Sequence, residues 1–526
     1  MESEYRLDVV YRNRASGHRR DIANNLPIQL LTRIQDMNTP LAAALLLLFG
    51  STPQDSRIIQ EPAPGFDPAV VLPAPEGIPA SWTALLNGVD ESRLGKAVHT
   101  LCDFGPRMGG TASGNASAAW LKKQFDEVGA PAIIRKDRET WCHSEESWSV
   151  RISYGEGPAA KSFDLKRAWP YGFSPTASGT ASLSLEIKEG GALLAKRTPR
   201  VRSGAVVPVL ALVDGSVTID GEYARVHHLR SGDKNQFPVF GLNKPEGKRI
   251  RALLDAGQTL QVDYAIESTI KLAKPRTVVA TIPARKDAPK GFLLYCAHGD
   301  SDAGGPGADD NASGDAVVLE IARSWAAAIK SGAIEAPPRE LRFAVWGKEI
   351  HSTRDYLQSL DPELDGPLLG VINYDQAGFG SGADQFNIEP DDLPANQTMI
   401  RAILSVLDTY SGRGGMPARY ATNKSLGGTD SYVFSSAKLF KEGERPSLTL
   451  FTSAWDHPDE QKRTEGQRGE SWNDRDKVTI DYDNYYHSAG DTPENTTDKE
   501  PWNMGWCARV GLVGGLVWLE SLAAPD

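Results

Sequence analysis

Cysteine is scarce. The chain has four in 526 residues, Cys102, Cys142, Cys296 and Cys507, and no two form a Cys-x-x-Cys pair. That spacing excludes a thiolate zinc cluster and a disulfide-built scaffold; one bridge, Cys102 to Cys142, stands against unpaired buried thiols. Positive charge is in deficit, with 57 Lys and Arg against 68 Asp and Glu and a formal net charge of −11. No basic face is implied, so nucleic acid and anionic membrane are excluded as main partners. Membrane spans are lacking too. Leu41 to Phe49 falls short of the ~20 apolar residues a bilayer requires, and Met504 to Leu522 is interrupted by Arg509 and glycines. No internal repeat is visible, and the 50 Gly and 34 Pro follow no collagen-like period. What remains is an ordinary globular composition, 40% hydrophobic and 24% charged, in a chain long enough for about two to four domains.

The run Leu41 to Phe49 (LAAALLLLF) fits the apolar core of a secretory signal, with Arg33 before it and Gly50, Ser51 and Thr52 after it. A start at Met37 makes residues 1–36 a mis-called extension and 37–52 the signal. The protein is then secreted or periplasmic. Residues 53–81 read as a linker, with proline at 53, 62, 64, 68, 73, 75 and 79.

Apolar spacing predicts a helix over Gly114 to Val128, closed by Gly129. Residues 148–264 change texture to short β-rich runs such as Ala205 to Val213 and Phe237 to Leu242, then a helix from Glu246 to Ala256. This stretch reads as a small domain inserted into a larger one formed by 82–147 and 265–526. In the larger unit, continuous apolar strands (Phe292 to Ala297, Leu341 to Trp346, Leu369 to Tyr374, Ser447 to Thr452) alternate with helices (Ala312 to Ile329, Thr353 to Leu360, Ala395 to Tyr410, Met504 to Leu522). That alternation predicts an α/β fold, a mostly parallel sheet flanked by helices on both faces. Asp456 to Asp481 is charged, poor in apolar residues, and read as a long mobile loop.

The chemistry falls at strand ends, where open α/β sheets bind ligands. The first strand runs into His298 and Asp300 (CAHGDS). Asp309 and Asp310 (GADDNASG) precede the next helix. A second strand delivers Glu349 (WGKEIHST), a third Asp375 (NYDQAG), and His487 follows in YYHSAGDT. Imidazoles and carboxylates suit Zn²⁺ or a similar ion, and with no thiol among them a hydrolytic site is favoured over a structural one. Singly, each has a plainer reading: a loop histidine, an N-cap aspartate, a turn. Together, independent strands end in the right residue type.

On these motifs the chain resembles the co-catalytic zinc aminopeptidases, a family that includes bacterial leucyl aminopeptidases and is related to glutamate carboxypeptidase and the transferrin receptor. The likeness runs from about Asp90 to the C-terminus. It includes Phe104-Gly105-Pro106-Arg107, a β-rich insert similar to a protease-associated domain ending in PVFGLNKPEGKRIRALLDAG, then His298/Asp300, GADDNASG, Trp346-Gly347-Lys348-Glu349, Asn373-Tyr374-Asp375 and YHSAGDT with His487 and Asp491. The resemblance implies one or two zinc ions. Asp309 would bridge them, with His298 and Asp375 on one and His487 on the other. Asp300 would orient His298 through its other ring nitrogen. Tyr486 would steady a developing oxyanion. Bound water would attack a peptide or small amide.

The family carries two adjacent glutamates, a base and a metal ligand. Here Glu349 stands alone, followed by Ile350 and His351, so it fits either role, and His351 is a candidate substitute ligand. His227 and His228 read as exposed polar residues, His457 as a solvent-facing loop residue. Asp430 (GGTDSYVF) is a turn aspartate or a group near the pocket. The resemblance implies an exopeptidase acting on N-terminal peptide bonds. The rivals are a carboxypeptidase or amidohydrolase on the same metal site, and a catalytically impaired binding scaffold.

Overall fold

The computed structural model describes residues 58–60, 66–199, 205–218, 220–301, 304–380, 384–423, 428–435, 445–452, 455–456, 479–480 and 485–522. The apolar run Leu41 to Phe49, His457 and most of the stretch 456–481 lie outside them.

Strand β1 (Ile58–Gln60) precedes helices α1 (Ala80–Leu86), α2 (Glu91–Cys102) and α3 (Ala112–Val128). β1 falls in the expected linker yet pairs antiparallel with a strand of the main sheet, so that stretch is not all linker. α2 starts at Asp90, whose carboxylate accepts from the N–H groups of Ser92 and Arg93. α3 starts on the Thr111 hydroxyl and stops at Gly129, whose φ of 91° is a left-handed value that favours glycine.

β2 (Ala132–Lys136) leads out of the main sheet into a second one. This comprises β3 (Thr140–Tyr154), β4 (Lys161–Asp164), β5 (Trp169–Pro170), β6 (Ala177–Ser184), β7 (Ala192–Ala195), β8 (Leu210–Val213) and β9 (Val239–Gly241), then helix α4 (Lys244–Asp255) and β10 (Leu260–Ala273). Its order is β4-β3-β10-β6-β7-β8-β9-β5. β3 and β10 pair from Leu260↔Tyr154 to Ala273↔Thr140, so the sheet runs past the expected limits of 148 and 264. The ends were invisible to periodicity because residues 140–147 are mostly polar and half-exposed.

The main sheet resumes with β11 (Arg276–Ile282), β12 (Phe292–His298), α5 (Gly314–Lys330), β13 (Glu340–Trp346), α6 (His351–Ser359), β14 (Leu368–Tyr374), β15 (Phe386–Glu389), α7 (Gln397–Tyr410), β16 (Tyr420–Thr422), α8 (Ser431–Ser435), β17 (Ser447–Phe451) and α9 (Trp502–Ser521). Nine strands lie in the order β1-β16-β15-β17-β14-β12-β13-β11-β2. The four central strands, β13, β12, β14 and β17, are parallel. Antiparallel pairs join β15 to β17 and β11 to β13 at the margins, so the sheet is mixed with a parallel centre.

Every residue of β12 is buried, as a strand covered on both faces requires. α5 lays Val318, Ile321 and Trp325 against the core, each worth ~1.5–3 kcal/mol of apolar burial. α9 is buried along nearly its whole length. A Cβ at Gly511 or Gly515 would overlap the hydroxyl of Tyr374 or Tyr295, so these glycines let the helix press onto the sheet. All four thiols are free, which removes the Cys102–Cys142 bridge. No helix of the described residues is long and apolar enough to cross a membrane.

Candidate metal centre and active site

The parallel centre brings the ends of β12, β14 and β17 to one edge, where a cavity of about 330 Å³ opens. His298 is the last residue of β12, and Asp375 follows the end of β14. His298 Nε2 lies 3.2 Å from Asp310 Oδ1 and 3.5 Å from Asp375 Oδ1. His298, Asp310 and Asp375 offer donor atoms that all lie within 4.8 Å of one another. The other oxygen of Asp310, Oδ2, is 3.3 Å from His487 Nε2.

The carboxylate between the two imidazoles is therefore that of Asp310, one residue on from the expected Asp309. Residues 308–313 form one wide helical turn, and Asp310 and Asn311 depart from helical dihedrals inside it. This swings Asp310 into the cavity. Asp309 is fully buried and turned the other way, its Oδ1 accepting the Gly378 N–H at 2.8 Å. Asp491 holds the turn by accepting the N–H of Asp309 at 2.8 Å and of Asp310 at 3.0 Å; burial pushes its carboxyl up to about 6. Buried Arg107, from the Gly-Pro-Arg turn, donates to the carbonyls of Gly299 and Gly307 and so braces the path from His298 to Asp310.

Burial alone would lower the basicity of His298, but Asp300, Asp310 and Asp375 together hold its pKa well above the usual value. Burial would raise Asp310, yet His298 and His487 draw it below the usual carboxylate range. An acid cage that stabilises an imidazolium is equally a well for a divalent cation, and Asp375 Oδ1 is buried without a hydrogen bond. The donor set, imidazole plus carboxylates and no thiolate, fits zinc.

The Nδ1 side of His298 meets Asp300: the Asp300 carbonyl oxygen lies 2.8 Å away and its Oδ1 3.4 Å. Asp300 Oδ1 also accepts the Glu349 N–H at 2.9 Å. Glu349 lines the cavity, and burial, with Asp375, Asp430 and Asp310 nearby, pushes its carboxyl well above the usual range. Ile350 follows with φ 59°. His351 turns away, its Nε2 3.0 Å from the Arg138 carbonyl oxygen, and it does not line the cavity. It is not placed to replace the missing glutamate. The Tyr486 ring stacks on His487 with 3.6 Å between centroids, and both line the cavity.

Two groups of residues join the site that sequence reasoning did not place there. His227 and His228, expected to be exposed polar residues, are exposed, yet from the segment between β8 and β9 they line the same cavity. The Val226 N–H donates to the His487 carbonyl oxygen at 2.9 Å, and the His227 and His487 rings lie 6.1 Å apart. They were set aside because a regular strand would face them opposite ways, whereas this segment forms isolated bridges. Glu389, at the end of β15, also lines the cavity; its strand is only four residues long and gives little periodic signal.

Residues 277–510 match the profile of Peptidase family M28. The chain is 24% identical over 431 residues to "Probable leucine aminopeptidase 2" of Trichophyton verrucosum, covering 76% of this chain and 78% of that one. It spans about half (49%) of "Leucine aminopeptidase 2" of Trichophyton equinum, at 25% identity over 272 residues and 50% of this chain. Among solved structures, "Peptidase M28 precursor" of Shewanella amazonensis has a TM-score of 0.57 at 18% identity, over 84% of this chain and 96% of that one. "BSAP, a zinc aminopeptidase from Bacillus subtilis" has a TM-score of 0.52 at 16% identity, over 80% and 94%. At these identities the structures speak for a shared fold.

Proposed function

From the match of residues 277–510 to Peptidase family M28, we propose that the chain is a metal-dependent aminopeptidase centred on Asp310. The observation that carries this reading is the Asp310 carboxylate set between His298 and His487, with Asp375 on the same face of His298. His298, Asp310 and Asp375 would hold a zinc ion. Such an ion polarises a carbonyl and lowers the pKa of its water to ~7. A second ion would find Asp310 and His487 but no second glutamate, so we assign one strong position and one weak one.

Glu349 takes the proton of the attacking water and passes it to the leaving amine; burial and the acids around it hold its carboxyl above the usual range. Asp300 orients His298. Tyr486 offers its hydroxyl to the oxyanion. The charge of the cavity supports an exopeptidase at the amino end. A carboxypeptidase must bind a terminal carboxylate, and among the described residues the cavity wall has acids and imidazoles but no Lys or Arg. The insert that holds the second sheet is the counterpart of a protease-associated domain and adds His227 and His228 to the cavity wall. Leu41 to Phe49 directs the chain out of the cytoplasm, and N-terminal sequencing from the native host should find that run removed.

The test of activity compares an aminoacyl amide, its N-acetylated form and a peptide blocked only at its C-terminus. The first and third should be cleaved, the second spared, and chelator dialysis should abolish cleavage until zinc is returned. Cleavage that survives exhaustive chelation overturns the reading.

A further inference from the structure

On the β15 side the cavity lining includes a residue set lower in the sheet than the metal centre. Ile388 pairs with Leu450 and Glu389 with Thr449, while Tyr374 also pairs with Leu450. Asp375, one residue past Tyr374, stands level with Phe451. Glu389 therefore starts about 6–7 Å lower, at ~3.3 Å per residue, and two strand spacings to the side, ~10 Å. Gln376, Gly428, Thr429, Thr449 and Phe451 line the cavity along with it. Asn373 binds them together, its Nδ2 donating to Thr429 Oγ1 at 3.0 Å and Thr449 Oγ1 at 3.4 Å. A Cβ added at Gly428 would meet nothing within 4 Å.

In this part of the cavity the Glu389 side chain is 9% exposed, and its Oε2 is buried with no hydrogen-bond partner. Among the described residues no Lys or Arg lines the cavity to neutralise it. A buried carboxylate without a partner is costly, and its cation must come from elsewhere. Burial, reinforced by Asp375, Asp392 and Asp391, holds the carboxyl well above its usual range until one arrives.

We propose that this part of the cavity receives the side chain of the substrate's first residue and that Glu389 selects lysine or arginine there. The proposal rests on the aminopeptidase reading and names its substrate class. The substrate's α-ammonium is the rival cation, but it lies two bonds from the scissile carbonyl and must stay beside the metal centre. A lysine stem carries its charge about 5–6 Å further from Cα, away from the metal centre and toward the lower part of the cavity. A leucine side chain would leave Glu389 buried and unpaired, a mismatch that sites built for a polar partner reject strongly.

The test is a panel of Arg, Lys, Leu, Ala and Glu aminoacyl-coumarin amides with zinc-loaded wild type, Glu389→Gln and Glu389→Leu. Wild type should favour Arg or Lys over Leu by at least about tenfold in kcat/KM. Glu389→Gln should collapse that ratio and Glu389→Leu should reverse it, each with wild-type metal content. A wild-type preference for Leu overturns the proposal, as does an equal loss on all substrates in Glu389→Gln, which would mark an α-ammonium anchor. Failure to cleave any member of the panel sinks the aminopeptidase reading instead. The role of Glu389 is then judged by calorimetry with argininamide and leucinamide: tighter argininamide binding that Glu389→Gln removes sustains it, and equal or absent binding overturns it.

Discussion

The backbone N–H of Ile350 donates to the Asp430 carboxylate at 2.7 Å, and the Thr353 hydroxyl donates to the same oxygen. The turn that carries Glu349 into the cavity is thus pinned from its far side. Asp430→Ala should release the turn and lower kcat at least about tenfold while leaving metal content and KM near wild type, since losing a buried acceptor costs ~1–3 kcal/mol. Metal analysis beside steady-state kinetics decides it. Unchanged kcat would show that Glu349 needs no such strut.

The same residue predicts a pH effect. Burial pushes the Asp430 carboxyl up to about 7. Between ~4 and ~7 the folded chain holds a proton that the unfolded chain has released, so this group takes away stability as pH rises through that window. Asp430→Asn keeps an oxygen acceptor but cannot ionise. Its melting temperature relative to wild type should therefore improve from pH 5 to pH 7.5. A constant difference across that range contradicts the assignment.

Asp309 and Asp310 are neighbours with opposite tasks. Asp310→Asn should lose bound metal and most activity. Asp309→Ala removes the acceptor for the Gly378 N–H and should cost ~1–3 kcal/mol of stability while keeping metal. Thermal melts paired with elemental analysis separate the two. Metal loss confined to the Asp309 variant would return the bridging role to Asp309.

The sequence made some of this legible and hid the rest for physical reasons. His298, Asp375 and Glu349 were found because each follows a continuous apolar strand, and the structure gathers all three around one cavity. Which aspartate of Asp309-Asp310 faces inward depends on the dihedrals of one irregular turn, and residue spacing carries no record of those. His227, His228 and Glu389 reach the cavity from isolated bridges and a four-residue strand, where periodicity has too few residues to register. That Glu349 stands without an adjacent glutamate was visible from the start; that His351 faces the Arg138 carbonyl oxygen was not.

Ion binding should follow from that asymmetry. His298, Asp310 and Asp375 supply three donors within 4.8 Å of one another, while His487 stands outside that group with its Nε2 3.3 Å from Asp310 Oδ2. Zinc titration of the stripped protein should give one tight and one weaker event. His487→Ala should remove the weaker, and Asp375→Asn should impair the tighter. Two events of equal affinity would mean that another group completes the second position.

The last prediction concerns Glu349 itself. Its N–H is held by Asp300, its carboxyl faces the cavity, and burial favours the protonated form more than in an ordinary glutamate. A group so placed can accept a proton from water and release it to an amine. Glu349→Gln is nearly isosteric, keeps the backbone bond to Asp300, and removes only the proton relay. It should lower kcat by ~10²–10⁴-fold with little change in metal content or melting temperature. Wild type should also show a rising acidic limb in its kcat profile, as Glu349 deprotonates, that the variant lacks. If the variant instead loses an ion along with its rate, Glu349 is the missing ligand and the proton must be carried by another cavity group. His227, already set against His487, is the first to substitute next.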